Sequence, residues 1–378
     1  MPRPPLAIYI HWPFCRSKCP YCDFNSHVRE RVDAVAWTNA LIADLDRQAE
    51  LALDHEVVSI FFGGGTPSLM PPETAAALIE RVKRHWPAAH TPEITLEANP
   101  NSAEAERFAG FAAAGVNRLS LGVQALDPAA LKFLGRGHDR DEALAAIRLS
   151  RKLFRRTSFD LIYARPGQSV AAWRAELDEA LALAGEHLSL YQLTIEPGTA
   201  FHTRAAKGEL AVPDEGMAAA LFETTQERLA AAGMPAYEIS NHARPGAESR
   251  HNLAYWRYED YLGIGPGAHG RVTRGGIKYA TRQRRLPEAW LKDPDFEELT
   301  AITRETAVEE MVMMGLRLVE GVSRARLETL AECSVEALFG VGLKRLIDGG
   351  FVALDGGRFS ATAAGRQRLN AVLGTLFG

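Results

Sequence analysis

The sequence predicts an α/β protein. A parallel sheet with helical crossovers comes first, and a small helical domain ending in a β-hairpin follows. Three observations predict this. Strand-like and helix-like segments alternate over residues 6–193. Several strand-like segments are continuous apolar runs, such as VVSIFF at 57–62, which suits strands covered on both faces. Beyond Gly233 the alternation stops, and helices with one turn-marked hairpin take over. Parallel strands need helical crossovers, so the alternation implies a parallel sheet.

The first strand is 6–11 (LAIYIH). A helix follows over 33–53, with Val35, Leu41, Ile42, Leu45 and Leu51 at helical spacing and Asp33 placed to cap it. After the strand at 57–62, Pro71 and Pro72 open a helix that runs to about His85. Strands at 93–98 (EITLEA), 117–122 (NRLSLG), 158–163 (SFDLIY) and 187–193 (HLSLYQL) are separated by helices at 103–114, 140–154 and 169–184. Six such units are too few for an eight-stranded barrel. They leave a doubly wound sheet or an incomplete barrel, open on one side with room for a large ligand.

An amphipathic helix over 217–232 stops at Gly233, a good C-terminal cap. Residues 237–285 read as a loop rich in aromatics and glycine. A helix over 303–319 opens the last domain, a further helix follows, and then comes one at 335–347. Strands at 351–353 and 358–360 flank the turn Asp355-Gly356-Gly357. The expected domains are 1–235, a connecting segment 236–300, and a winged-helix-like domain 301–378.

Composition narrows the function classes. The 378 residues are 24% charged and 47% apolar, which excludes disorder and coiled-coil arrays as the main plan. The net charge of −4 gives no broad grip on nucleic acid or anionic lipid. From Gly321 onward there are seven basic and five acidic residues, too slight an excess for a DNA reader. The last domain therefore reads as a packing module, and no nucleic-acid partner is expected. No stretch approaches the roughly 18 apolar residues of a membrane span. Residues 1–14 carry four prolines and His11 and lack a small-residue cleavage site, so no secretory signal is expected.

Four cysteines are present, Cys15, Cys19, Cys22 and Cys333. Three lie within one short loop just after the first strand, spaced CxxxCxxC. A secreted disulfide framework would spread them through a small domain, so the pattern points to a reducing compartment and a metal site. Three thiolates can hold three corners of a cubane [4Fe–4S] cluster and leave the fourth iron open. A structural zinc site is the other reading; it needs a fourth ligand, for which His11 or His27 is available. Cys333 reads as a small apolar residue of a helix.

Gly63-Gly64-Gly65-Thr66-Pro67 follows the VVSIFF strand directly and lets the backbone approach a ligand closely. It fits neither the dinucleotide fingerprint nor the phosphate loop. Glu97, Gln124, Asp160 and Gln192 all fall at or near strand C-terminal ends, the face where βα barrels keep their chemistry.

With these motifs together, the chain resembles the radical S-adenosylmethionine (SAM) superfamily. CxxxCxxC with Tyr21 before the last cysteine, followed by GGGTP, carries that likeness. YIHWPFCRSKCPYCDF, GGGTPS, EANP, LGVQ and DLIYARPGQ resemble the oxygen-independent coproporphyrinogen III oxidase group over nearly the whole chain. The resemblance implies an open partial (β/α)6 TIM-like barrel, a [4Fe–4S] cluster on Cys15, Cys19 and Cys22, and SAM chelating the open iron. It further implies that Tyr9, Gly64, Gly65, Thr66 and Glu97 line the SAM pocket. Phe24, Gln124, Arg136 and Asp160 match positions the group uses around SAM or beside it. The glycine-leucine usual before Pro166 is Ala164-Arg165 here, which changes that loop.

Two branches of the group differ. True oxidases resemble CxxxCxxCxC and carry a longer N-terminal extension; here Phe24 stands at the extra cysteine. The heme-chaperone branch, of HemW type, carries a mark resembling HNxxYW, and this sequence has His251-Asn252-Leu253-Ala254-Tyr255-Trp256. The resemblance therefore implies a heme chaperone. His251 is the expected heme ligand, with Asn252, Tyr255 and Trp256 around it. Six basic residues and no acidic one between Arg271 and Arg285 would suit heme propionates or simply face solvent. The implied partners are heme and a heme-acceptor protein, a respiratory membrane enzyme being the expected one. A homodimer and a cytoplasmic site, with peripheral membrane contact through the partner, complete the expectation. The alternative is an enzyme in which SAM is cleaved to a radical that decarboxylates coproporphyrinogen III.

Overall fold

The computed structural model describes residues 3–87, 90–295 and 297–378. Met1 and Pro2, which open the first expected domain, lie outside the described residues. Eleven strands form one sheet. In chain order they are β1 (Pro5–Trp12), β2 (Glu56–Gly64), β3 (Glu93–Ala98), β4 (Arg118–Gln124), β5 (Arg156–Tyr163), β6 (His187–Gln192), β7 (Asn241–Ala243), β8 (Asp260–Ile264), β9 (His269–Arg274), β10 (Ile277–Arg282) and β11 (Glu298–Ala301). The spatial order is β11-β10-β9-β8-β1-β2-β3-β4-β5-β6-β7. Every pair from β8 through β6 is parallel, and the strands outside them pair antiparallel. The sheet keeps two free edges and does not close on itself.

The crossover helices are α1 (Ala34–Ala49), α2 (Pro72–His85), α3 (Phe108–Ala114), α4 (Arg140–Leu153) and α5 (Val170–Leu183). Asp33 caps α1 as expected, accepting from the Val35 and Ala36 amides. The helices share one core with one face of the sheet. Leu6, Ile8, Ile10 and Trp12 of β1 and Ile60 and Phe62 of β2 join Trp37 and Leu41 of α1, Leu78 of α2, Ile147 of α4 and Trp173 of α5. Side chains alternate along a strand, so the register sends the intervening residues to the other face. That face carries Glu93, Glu97, Arg118, Ser120, Asp160 and Ser189 on β3 to β6, and Tyr9 and Phe61 on β1 and β2. A doubly wound sheet has crossover helices on both faces; here they share one core with one face, so this arrangement is the open partial barrel.

Three expectations differ from the structure. Cys333 lies between the helices Arg324–Ala331 and Val335–Asp348 and in neither, half-buried. The helix at 103–114 is broken into Ser102–Ala105 and α3. Glu104 turns its buried carboxylate back onto Ser68, Asn99 and Asn101, which stops the first piece. Residues 237–285 are not a loop. They supply β7, the helix α7 (Arg250–Trp256), β8, β9 and β10, having followed the helix α6 (Glu215–Ala231). The missed signal is Arg274-Gly275-Gly276-Ile277, a two-residue hairpin turn whose glycines have φ of +57° and +81°.

The C-terminal unit has its own core, built from Val308, Met311 and Leu316 with Leu327, Phe339, Leu343 and Phe359. It holds helices α8 (Arg304–Gly315), α9 (Arg324–Ala331) and α10 (Val335–Asp348), then the hairpin Val352–Asp355 and Arg358–Ala361. This is the expected winged-helix-like arrangement, with two further short helices at the end.

Candidate functional site

A cavity of about 640 Å³ opens over the C-terminal ends of the parallel strands, a volume typical of small-molecule sites. The cysteine loop forms one wall. Phe14–Cys15 pairs with His27–Val28, and the Cys22 amide donates to the Cys19 carbonyl at 3.1 Å, folding the loop over. Cys15, Cys19 and Cys22 all line the cavity and none is in a disulfide. Burial raises the Cys15 and Cys22 thiols above their usual range.

The glycine run forms the next wall, and its packing explains its composition. The Gly65 amide donates to the Trp12 carbonyl and the Thr66 amide to the Phe14 carbonyl, both at 2.8 Å. A Cβ on Gly65 would stand 2.7 Å from the Phe14 carbonyl oxygen, and Gly64 has φ of +115°. The glycines therefore let this loop dock against the cysteine loop as well as face the cavity.

Glu97, Gln124, Asp160 and Gln192 all reach the cavity wall, as the strand-end argument expects. Burial pushes Glu97 up to about 8, with the Asp160 charge adding and a hydrogen bond from the Gly64 amide opposing. Burial also pushes Asp160 up to about 6, against hydrogen bonds from Ser189 and Ser120. Gln124 has φ of +71°, and its Oε1 is buried without a partner. A strained residue with a free acceptor facing a cavity suits ligand contact. Phe24 stands at the rim, 59% exposed.

Arg136 crosses the cavity wall. Its Nη1 donates to Cys19 Sγ at 3.2 Å and to Tyr21 Oη at 3.4 Å, and its Nη2 to the Gly122 carbonyl at 2.8 Å and to Asn99 Oδ1. Asn99, one residue past the end of β3, was not singled out beforehand; its place in EANP at a strand end is the signal.

Of the residues the resemblance puts around SAM, Tyr9 is the one that the structure does not bring to the cavity wall. Its hydroxyl donates to His11 Nδ1 at 3.0 Å and its ring stacks on Phe61, because inward-facing β1 residues below the rim are covered. His11 in turn donates from Nε2 to the Asn25 carbonyl, and His27 Nε2 bonds Asn25 Oδ1. Both candidate zinc histidines are thus committed elsewhere. Among the described residues no three Cys, His, Asp or Glu side chains close round a single ion. A cubane takes each cysteine on a different iron, and the three free cysteines at one cavity wall are the donor set it needs.

The HNLAYW segment forms α7, which plugs the other end of the barrel. His251 is 1% exposed: its Nδ1 bonds Ser59 Oγ at 3.0 Å, its ring stacks on Phe61, and its Nε2 has no partner. Burial pushes it down to about 3, so it is neutral. Tyr255 packs edge-on between His251 and Tyr261, Trp256 lies under Arg317, and Asn252 faces the Tyr237 hydroxyl. The segment expected around a heme is thus a packed aromatic floor in this structure, with α7 resting its buried side on Ser59 and Phe61 of β2.

The basic stretch forms the β9–β10 hairpin and its exit. Arg271 pairs with Glu310, Lys278 with Asp260, Arg282 with Glu298 and Arg284 with Asp293. Most of it serves ion pairs rather than a free anion site. Ala164 takes φ of +57°, the conformation a glycine would favour, and Arg165 is buried against Glu176.

Two family models match the chain: the radical SAM superfamily over residues 9–180 and the HemN C-terminal domain over 302–368. Heme chaperone HemW of Escherichia coli is 41% identical over 85% of this chain and 85% of its own. Its namesake in Mycobacterium tuberculosis is 38% identical over 100% and 96%. Radical S-adenosyl methionine domain-containing protein 1, mitochondrial, of Danio rerio is 37% identical over 98% and 86%. Among solved structures, coproporphyrinogen III oxidase (HemN) from E. coli superposes with a TM-score of 0.81 at 22% identity, covering 100% of this chain and 91% of that one. That likeness concerns the fold.

Proposed function

The chain belongs to the heme chaperone HemW family within the radical SAM superfamily, and we propose that it binds heme and hands it to an acceptor protein. The observation that carries this reading is kinship over nearly the full chain with proteins of that name. Phe24 in place of a further cysteine and the complete HNLAYW segment support it.

Membership brings a [4Fe–4S] cluster and SAM. In this reading Cys15, Cys19 and Cys22 hold three irons. Gly64, Gly65, Thr66, Glu97, Gln124 and Asp160, with Phe24 and Arg136, would line the site that takes SAM beside the cluster. When bound, the cluster supplies one-electron chemistry to the cavity. The ionised form of Glu97 or Asp160 suits the cationic groups of SAM, while the protein backbone at Gly64 and Gly65 is free to approach it closely.

Heme is placed at His251. Its neutral, unpartnered Nε2 is the kind of imidazole nitrogen that ligates iron. Reaching it requires α7 to lift from Ser59 and Phe61. The acceptor is taken to be a respiratory membrane enzyme, met from the cytoplasm by a homodimer. Unpaired cysteines fit a reducing compartment. Among the described residues no helix is long and apolar enough to cross a membrane.

Hemin titration of the anaerobically reconstituted protein, followed in the Soret band, tests the reading. Saturation near one heme per chain is expected, weakened in His251→Ala. Unchanged saturation in the variant removes His251 from the site. No saturable binding in either protein sinks the chaperone reading, and coproporphyrinogen turnover becomes the assay to run.

A further inference from the structure

We propose that Arg136 and Thr66 set the reduction potential of the cluster by donating hydrogen bonds to its cysteine sulfurs, Arg136 to Cys19 and Thr66 to Cys15. The inference rests on the cluster assignment and not on heme binding.

Two of the three sulfurs face a side-chain donor from outside the cysteine loop. Arg136 Nη1 lies 3.2 Å from Cys19 Sγ, and Thr66 Oγ1 lies 3.3 Å from Cys15 Sγ. Both are within hydrogen-bond range for sulfur. Both donors are also held from outside the cysteine loop. The Arg136 fork is fixed there by the Gly122 carbonyl and Asn99 Oδ1, with the Tyr21 hydroxyl of the loop accepting from Nη1. Asn99 also donates from Nδ2 to Thr66 Oγ1 at 3.3 Å, so the Thr66 proton is left for Cys15. One amide thus anchors both sulfur donors: its oxygen takes the guanidinium and its nitrogen supports the hydroxyl.

The chemistry follows from charge. Reduction adds one electron to the cluster, supplied by an external reductant, and no bond is made or broken. The added charge spreads onto the sulfurs. Donors aimed at those sulfurs stabilise the more negative state and raise the potential. A guanidinium is the stronger donor because it carries full charge. Arg136 and Thr66 accordingly act on the potential as positioning residues through cysteine sulfur, in addition to their places on the wall of the SAM cavity.

The test is an EPR-monitored redox titration of reconstituted protein without SAM, with iron and sulfide measured on each sample. In Arg136→Gln the reduced-to-oxidised ratio at a fixed potential is expected to fall about tenfold, which is about 59 mV for one electron. Thr66→Val, nearly isosteric, should lower the ratio about threefold, and Arg136→Lys should lie between Arg136→Gln and wild type. A fully loaded Arg136→Gln protein with an unchanged potential overturns the proposal, and weaker SAM binding in that variant would then assign Arg136 to SAM. Should Arg136→Gln fail to take up iron, the lysine and valine variants decide: unchanged potentials in both overturn the proposal, and lowered ones support it. A failed hemin titration leaves every one of these outcomes readable.

Discussion

Replacing Glu97 by glutamine removes a carboxyl that the fold prefers protonated. The carboxyl is raised from 4.5 to about 8 by burial and by the Asp160 charge. Between those values the folded chain binds a proton that the unfolded chain releases. Stability of the cofactor-free protein therefore falls as pH rises, by up to about 1.4 kcal/mol per pH unit for this one group. Glu97 faces a cavity that water enters, so the slope is discounted; about 1–2 kcal/mol between pH 6 and pH 8 is expected. The buried histidines and Asp44 titrate in both proteins and cancel in the comparison. The assay is urea unfolding of the cluster-free chain at pH 6, 7 and 8, for wild type and Glu97→Gln. Wild type should lose that much more stability than the variant over the interval. A cationic ligand at Glu97 should erase the difference by holding the carboxylate ionised. Parallel pH dependences in the two proteins would refute the burial argument, and a steeper fall in the variant would reverse its sign.

The remaining predictions concern packing and buried charge. Glu93 is 3% exposed and accepts from Arg118, Arg156 and the Arg250 amide, which tie the N-terminal ends of β3, β4 and β5 to α7. Glu93→Gln strands two arginines and should cost about 3–5 kcal/mol in urea unfolding; a loss below about 1 kcal/mol would show the network carries no net weight. Gly65→Ala drives a Cβ to 2.7 Å from the Phe14 carbonyl oxygen and should lower iron content after reconstitution by more than half. Gly137→Ala, also on the cavity wall but with nothing within 4 Å of its Cβ, is the control and should load normally.

The cysteine loop and the strand ends were legible because their signals are local. CxxxCxxC places three thiols on one turn whatever the rest of the chain does. Glu97, Gln124, Asp160 and Gln192 follow from the rule that parallel strands end at one face, so finding the strands finds the wall. Asn99 escaped notice because an asparagine after a strand is usually a turn residue, and its two-sided role exists only once Thr66 and Arg136 approach it. The loop reading of 237–285 failed for a related reason. Strands of three to six residues and a seven-residue helix carry too little periodicity to register, and β8 joins the sheet beside β1, more than 240 residues earlier.

Chain pattern settles the parallel sheet, the helical crossovers, the C-terminal hairpin and the spacing that brings Cys15, Cys19 and Cys22 onto one loop. Each depends on residue type at short spacing, which folding cannot rearrange. Packing alone settles what lies beneath the cavity. Tyr9 alternates inward on β1 but sits below the rim, so Phe61 and His11 cover it. HNLAYW marks an aromatic cluster around one histidine along the chain, but only packing shows that α7 sets it on the barrel floor. That placement hides the His251 ring, frees its Nε2 of partners, and makes access to it a matter of moving a helix.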